Sequence, residues 1–241
     1  MNISDLIIDE EFESVIPPLT DEEFELLKES VLDDGEVYHP LVVWNNIIVD
    51  GHHRYKILKE HPEIKYRINK REFENRYEAI SWICLNQLGR RNLNDAQKKM
   101  LIGRKFKAEK SAYGITHNFR GNQYTDVLSP QNEGIAKYKN PTAEKIGMEL
   151  GVSHATVERA EKFVDGVDAA EEVLPGVTKD ITSGKIKPKQ ADVAAIAKAP
   201  AEERRQLAEN LYKEPTSEEK ARNKNKRDLM KAIRMCDATH I

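Results

Sequence analysis

Five residues at one point of the chain are of types that could do chemistry together: Asp50, Gly51, His52, His53 and Arg54. They fall where a short apolar run ends and helical spacing begins, so the chain passes there from a strand into a helix. Such a turn offers free backbone amides and the positive end of the helix dipole, which together favour an anion. Gly51 permits close backbone approach, Arg54 carries a fork of donors suited to phosphate oxygens, and His53 and His52 can donate as well. The ordinary alternative is that one imidazole packs and the other is solvated. Chelation of a metal by the two histidines is disfavoured, since adjacent positions do not converge on one ion and no third ligand stands nearby. Cys84 and Cys236 have neither metal-ligand nor disulfide-framework spacing.

A second grouping lies between Pro141 and Phe163. Thr142 can cap a first helix, Ile146 and Leu150 give it an inner face, and Gly151 supplies a left-handed turn with Val152 at the corner. Ser153 then caps a second helix whose Val157 and Ala160 face back, and small Ala143 and Gly147 let the elements cross closely. Ser153, His154, Thr156 and Arg159 are left outward, with Arg159 the foremost candidate. This spacing predicts a helix-turn-helix whose second helix lies in the major groove of double-stranded DNA. A plain helical hairpin is the alternative.

The elements that must hold these groups are legible around them. Thr20 followed by Glu23 opens a capped helix with Phe24, Leu27 and Val31 at helical spacing, and Asp33-Asp34-Gly35 ends it. Leu41–Trp44 and Ile47–Val49, separated by Asn45-Asn46, read as a β-hairpin. Residues 65–71 read as a further strand, Glu78–Leu88 as a helix with Ile80, Ile83 and Cys84 inward, and Asn92–Lys110 as a long helix capped by Asn92 or Asn94. Its core contacts are Met100, Leu101 and Phe106. Periodicity fails from 111 to 140, where Gly, Asn, Gln, Ser and Pro accumulate. The expected organisation is an α+β domain over 1–110, a linker over 111–140, an all-α helix-turn-helix domain over 141–212 and a basic helical tail over 213–241.

Composition supports a soluble, two-domain chain of 241 residues, 39% hydrophobic and 33% charged. No apolar run is long enough to span a bilayer, and the acidic start lacks a leader pattern, so a cytoplasmic location without a membrane partner is expected. The net charge of −3 conceals an asymmetry. Residues 1–36 hold thirteen acids and one base, and the remainder nets +9. That leaves room for a basic, phosphate-binding face.

Asp50-Gly51-His52-His53-Arg54-Tyr55 resembles the Asp-Gly-Glu-Arg-Arg-Tyr segment of the ParB family. Leu26 to Val43, with Gly35 and Pro40, looks like the helix and strand before that motif. Gln87-Leu88-Gly89-Arg90-Arg91-Asn92-Leu93-Asn94 is similar to the family's second nucleotide-contacting segment, and Leu174-Pro175 through Gly184-Lys185-Ile186, with Gln190-Ala191, to the helices after its helix-turn-helix. The resemblance implies a ParB/sulfiredoxin-like domain that holds the phosphates of CTP or ATP on Gly51, His52, His53, Arg54, Gln87, Arg90 and Arg91, followed by a DNA-binding helical domain, in a protein of partition or regulation of a plasmid, phage or mobile element. A homodimer is compatible with it.

The departures point elsewhere in part. His52 replaces the family's Glu, and Asn86 stands where an acid is expected. Gln87 is left as the candidate ligand for magnesium, a cation that prefers carboxylate oxygens, so CTP hydrolysis is disfavoured. Sulfiredoxins place their nucleophilic Cys where this chain has His52, which excludes sulfinic-acid reduction. An archaeal free-serine kinase of the superfamily is similar at Asp-Gly-His-His-Arg. That leaves a kinase-like or nuclease-like enzyme, with Glu36 as base, as one alternative, and a plain transcriptional regulator without nucleotide as another.

Overall fold

In the computed structural model, residues 2–90, 92–116 and 140–213 are described. Arg91, the Gly121–Gln123 and Ser129–Asn132 stretches, Cys236 and the expected basic tail from Glu214 onward lie outside them.

Local chemistry sets the first elements. After α1 (Glu10–Val15), the Thr20 hydroxyl accepts from the Glu23 amide while the Glu23 carboxylate accepts from the Thr20 amide. This reciprocal cap starts α2 (Asp21–Asp34), and Gly35, at φ 63°, ends it. Strands β1 (Leu41–Trp44) and β2 (Ile47–Asp50) are joined by Asn45 and Asn46, both at positive φ (49° and 65°), as a two-residue hairpin turn requires. The chain then forms α3 (His52–Glu60) and returns as β3 (Ile68–Lys70), parallel to β1, so the sheet runs β2-β1-β3. β3 is shorter than the expected 65–71 because Lys65 makes only an isolated bridge, with Glu36.

The hairpin alternates faces with the period of two that strands impose. Leu41, Val43 and Ile48 enter one core with Val31, Tyr55, Ile57 and Leu58 from α2 and α3. Val42 and Val49 enter the other, with Phe12 and with Ile80, Ile83, Cys84 and Leu101 from α4 (Arg76–Leu88) and α5 (Asp95–Thr116). Cys84 is fully buried, which pushes its thiol up to about 12. Asn94, one of the two expected caps, exchanges hydrogen bonds with Gln97 at the start of α5.

Helix α5 runs past Lys110 to Thr116 and serves both halves of the chain. Its remaining faces pack on α6 (Pro141–Leu150) and α7 (His154–Val173): Ile102 and Phe106 join Ala143, Ile146, Val157 and Ala160, and Met100 joins Phe163, Val164 and Val167. Gly103 allows this approach, since a Cβ there would stand 2.4 Å from the Ala160 carbonyl oxygen. Three further helices, α8 (Val177–Thr182), α9 (Gln190–Lys198) and α10 (Ala201–Asn210), complete the second core. No helix among the described residues is long and apolar enough to cross a membrane.

Candidate functional site

Gly51 stands at φ 98° as the N-cap of α3, and a Cβ there would meet Leu41 Cδ2 at 2.7 Å. Among the described residues no side chain caps the helix, and its first turn holds no acid. The amides of that turn therefore have no side-chain acceptor, the condition in which a helix start attracts an anion.

Asp50, the last residue of β2, organises the surroundings. Its Oδ2 accepts from Arg54 Nη2 at 2.8 Å, its Oδ1 accepts from Gln87 Nε2 at 3.3 Å, and Arg90 Nη2 lies 3.7 Å from Oδ1. Arg54 Nη1 also donates to the carbonyls of His39 (2.6 Å) and Pro40 (3.0 Å), tying the approach to β1 onto the end of β2. The two sequence segments singled out, 51–54 and 87–90, thus meet on one carboxylate. The motif alone assigns Asp50 no role; the signal in the sequence is a carboxylate closing an apolar strand four residues before Arg54, which must be paired if it is buried.

The histidines divide. His52 is 2% exposed and neither ring nitrogen has a hydrogen-bond partner among the described residues, so it offers the turn its backbone amide while its ring lies in the interior. Burial lowers its pKa to about 4, against the opposing charges of Glu13 and Asp50 and with help from His53 and Lys56. His53 is half-buried, its ring edge-on to Phe24 at 6.3 Å between centroids. Burial, then Lys56 and Arg90, lower its pKa too. Glu36 is bridged to Lys65 and has no hydrogen bond or ion pair to the turn.

The donor set fits a phosphate group: uncapped amides and an exposed guanidinium on Arg90, while the wholly buried Gln87 gives its Nε2 to Asp50 and keeps an Oε1 that has no partner among the described residues and can only accept. It does not fit magnesium held by the protein. Among the described residues no three His, Cys, Asp or Glu side chains converge, Asp50 is engaged by Arg54, and the Gln87 amide oxygen is a single neutral ligand.

The second grouping is also assembled. Asn140, two residues earlier than the expected Thr142, accepts from the Ala143 amide at 3.4 Å. Pro141, whose fixed φ and missing N–H suit the first helical position, moves the cap back. Gly151 is left-handed at φ 67°, and Ser153 Oγ accepts from the Thr156 amide at 3.2 Å, beginning α7. Gly147 serves the turn more than the helix crossing, since a Cβ there would stand 2.7 Å from the Val152 carbonyl oxygen. Ser153, His154 and Arg159 are exposed and Thr156 half-buried. His154 Nδ1 lies 3.6 Å from Glu144, and Arg159 Nε donates to the Ala155 carbonyl at 2.9 Å.

A cleft of about 620 Å³, which no motif announced, lies between the α1–α2 connection, α5, α7 and α8. Val15, Ile16, Met100 and Leu101 form its apolar part, and Arg104 and Asp168 lie on its polar side.

This arrangement of a three-stranded sheet, its flanking helices and the helices beyond is the fold of ParB N-domains. The structure of the C2221 form of a Pnob8-like ParB-N domain matches 97% of this chain and 95% of its own, with a TM-score of 0.52 at 20% identity. A second pNOB8-like ParB N-domain structure matches 82% and 73%, at TM-score 0.48 and 17% identity. The C-terminally truncated chromosome-partitioning protein ParB from Caulobacter crescentus, complexed with CTP-gamma-S, matches 88% and 97%, at 0.32 and 16%. No protein-family model and no curated protein matches the sequence.

Proposed function

We propose that this chain is a ParB-like DNA-binding protein responsive to a nucleotide, CTP or ATP, acting as a homodimer in partition or regulation of a plasmid, phage or mobile element in the cytoplasm. Helices α6 and α7 form its helix-turn-helix, presenting Ser153, His154, Thr156 and Arg159 to double-stranded DNA. The nucleotide phosphates rest on the amides after Gly51, with His53, Arg54, Arg90 and Arg91 as donors and Gln87 beneath. His52 contributes its amide. The observation that carries this reading is the convergence of Arg54, Gln87 and Arg90 on Asp50, at a helix start that no side chain caps.

Helix α5 supplies the physical link between the two sites, because it begins just after the Gln87–Arg90 segment and packs along α7. A phosphate that repositions Arg90 therefore acts on a helix shared with the DNA-binding half. Titration calorimetry with CTP, ATP and ADP, with and without magnesium, tests the first site. Binding of at least one triphosphate is expected, weakened tenfold or more, ~1.4 kcal/mol, by Arg90→Ala. Heat from none of them removes the nucleotide from the function. For the second site, Arg159→Ala is expected to weaken duplex binding by about 1–3 kcal/mol in a salt-controlled anisotropy titration.

A further inference from the structure

Between α8 and α9 the chain runs Ser183-Gly184-Lys185-Ile186-Lys187-Pro188-Lys189. Exposure alternates along it: Lys185, Lys187 and Lys189 are exposed, Ile186 and Pro188 half-buried, with Ile186 packed on the second core. The alternation leaves all three lysine side chains on the solvent side of the segment. Asp180 takes Lys185 at 3.0 Å, whereas Lys187 and Lys189 enter no ion pair among the described residues.

The segment ends against α7. Gln190, the first residue of α9, donates its Nε2 to the Arg159 carbonyl at 2.8 Å. Lys189 is its immediate neighbour, and Lys187 is at most about 10 Å away along an extended chain. One turn beyond Arg159, exposed Lys162 is also without an ion pair among the described residues. Of the acids nearby in sequence, Glu161 pairs with Lys110 and Asp165 with Lys107, and Glu158 and Asp192 pair with none of these lysines among the described residues.

The geometry points to a second DNA contact zone: Lys187 and Lys189, with Lys162, grip the phosphate backbone beside the groove that α7 enters. This rests on the DNA-binding reading of α6–α7 and adds to it a backbone clamp from outside that pair of helices. Ammonium groups on flexible stems suit phosphates as point charges and carry no base code, so they set register and affinity and leave sequence choice to α7.

The test is the salt dependence of binding by the full chain to a mixed-sequence B-form duplex, followed by anisotropy across a range of NaCl. Each lost phosphate contact lowers the slope of log K against log salt by about 0.9, so K187A/K189A is expected to be shallower by ~1.8. The control K65A/K70A, which removes two exposed lysines from the other half, is expected to keep the wild-type slope. An unchanged slope in K187A/K189A, or an equal drop in the control, overturns the clamp while leaving DNA binding intact. Absence of duplex binding by the wild type overturns both readings at once.

Discussion

Asp50 and Gln87 sit at the ends of different elements, β2 and α4, and are joined by a 3.3 Å hydrogen bond that leaves the other Asp50 oxygen to Arg54. Asp50→Ala strands the Arg54 guanidinium and the wholly buried Gln87 amide together. The expected cost is about 3 kcal/mol, the usual effect of removing one partner from a shielded pair. Guanidinium denaturation measures it, and a loss below ~1 kcal/mol would mean that the carboxylate does not hold the two segments.

Gly51→Ala meets two obstacles. A Cβ would stand 2.7 Å from Leu41 Cδ2, and φ 98° is disfavoured for any side chain. A destabilisation of about 2–4 kcal/mol is expected from strain and overpacking together, with a lowered Tm. Gly151→Ala, with nothing near its Cβ, should show only the conformational part, about 1 kcal/mol at φ 67°.

His52 makes stability depend on pH. Its folded pKa is lowered from 6.5 to about 4, so the unfolded chain takes up a proton first as pH falls. Its contribution is complete above pH 6.5 and is lost progressively toward pH 4, by roughly 3 kcal/mol. The stability of wild type relative to His52→Leu should therefore be constant above pH 6.5 and fall by that amount between pH 6.5 and 4, whichever of the two is the more stable at neutral pH. A flat difference throughout would show that the ring is solvated.

Lys105, 3% exposed, donates to Glu109 at 2.6 Å and Ser81 at 3.0 Å and pairs with Glu149 at 3.1 Å, drawing α4, α5 and α6 together. Lys105→Met is expected to cost about 3 kcal/mol at neutral pH, since it leaves Glu149 without its partner and the mostly shielded Glu109 with only Lys145 to pair with among the described residues. Burial pushes the Glu109 carboxyl up, but Lys105, with Lys145 assisting, outweighs it and holds the pKa below 4.5. The pair's contribution is thus full above pH 4.5 and fades as pH falls through the lower folded value. Denaturation curves at neutral and acid pH should show the variant's deficit narrowing, and Glu109→Gln added to Lys105→Met should recover part of it.

Gly103→Ala tests the shared helix. The added methyl meets the Ala160 carbonyl oxygen at 2.4 Å, which backbone cannot yield cheaply. A loss of about 2–3 kcal/mol is expected, together with weaker duplex binding at a temperature where the protein stays folded. Unaltered stability would place α5 and α7 farther apart.

What the chain declares by itself is local. Thr20 with Glu23, the Asn45-Asn46 turn, Gly151 and Ser153 each act within a few residues, so their consequences are written in adjacent letters, and the alternation of Leu41 to Val43 carries the sheet's two faces. Even there, Pro141 moved a cap from Thr142 to Asn140. The positions of Gly51, Arg54, Gln87 and Arg90 were legible as motifs, but their meeting was not. Only the tertiary structure decided that Asp50 unites them, that the His52 ring turns inward while His53 stays half-exposed, and that α5 is common to both halves. Which buried group satisfies which is settled by elements distant in sequence, and a carboxylate or an imidazole carries the same letter whether it is paired, packed or solvated.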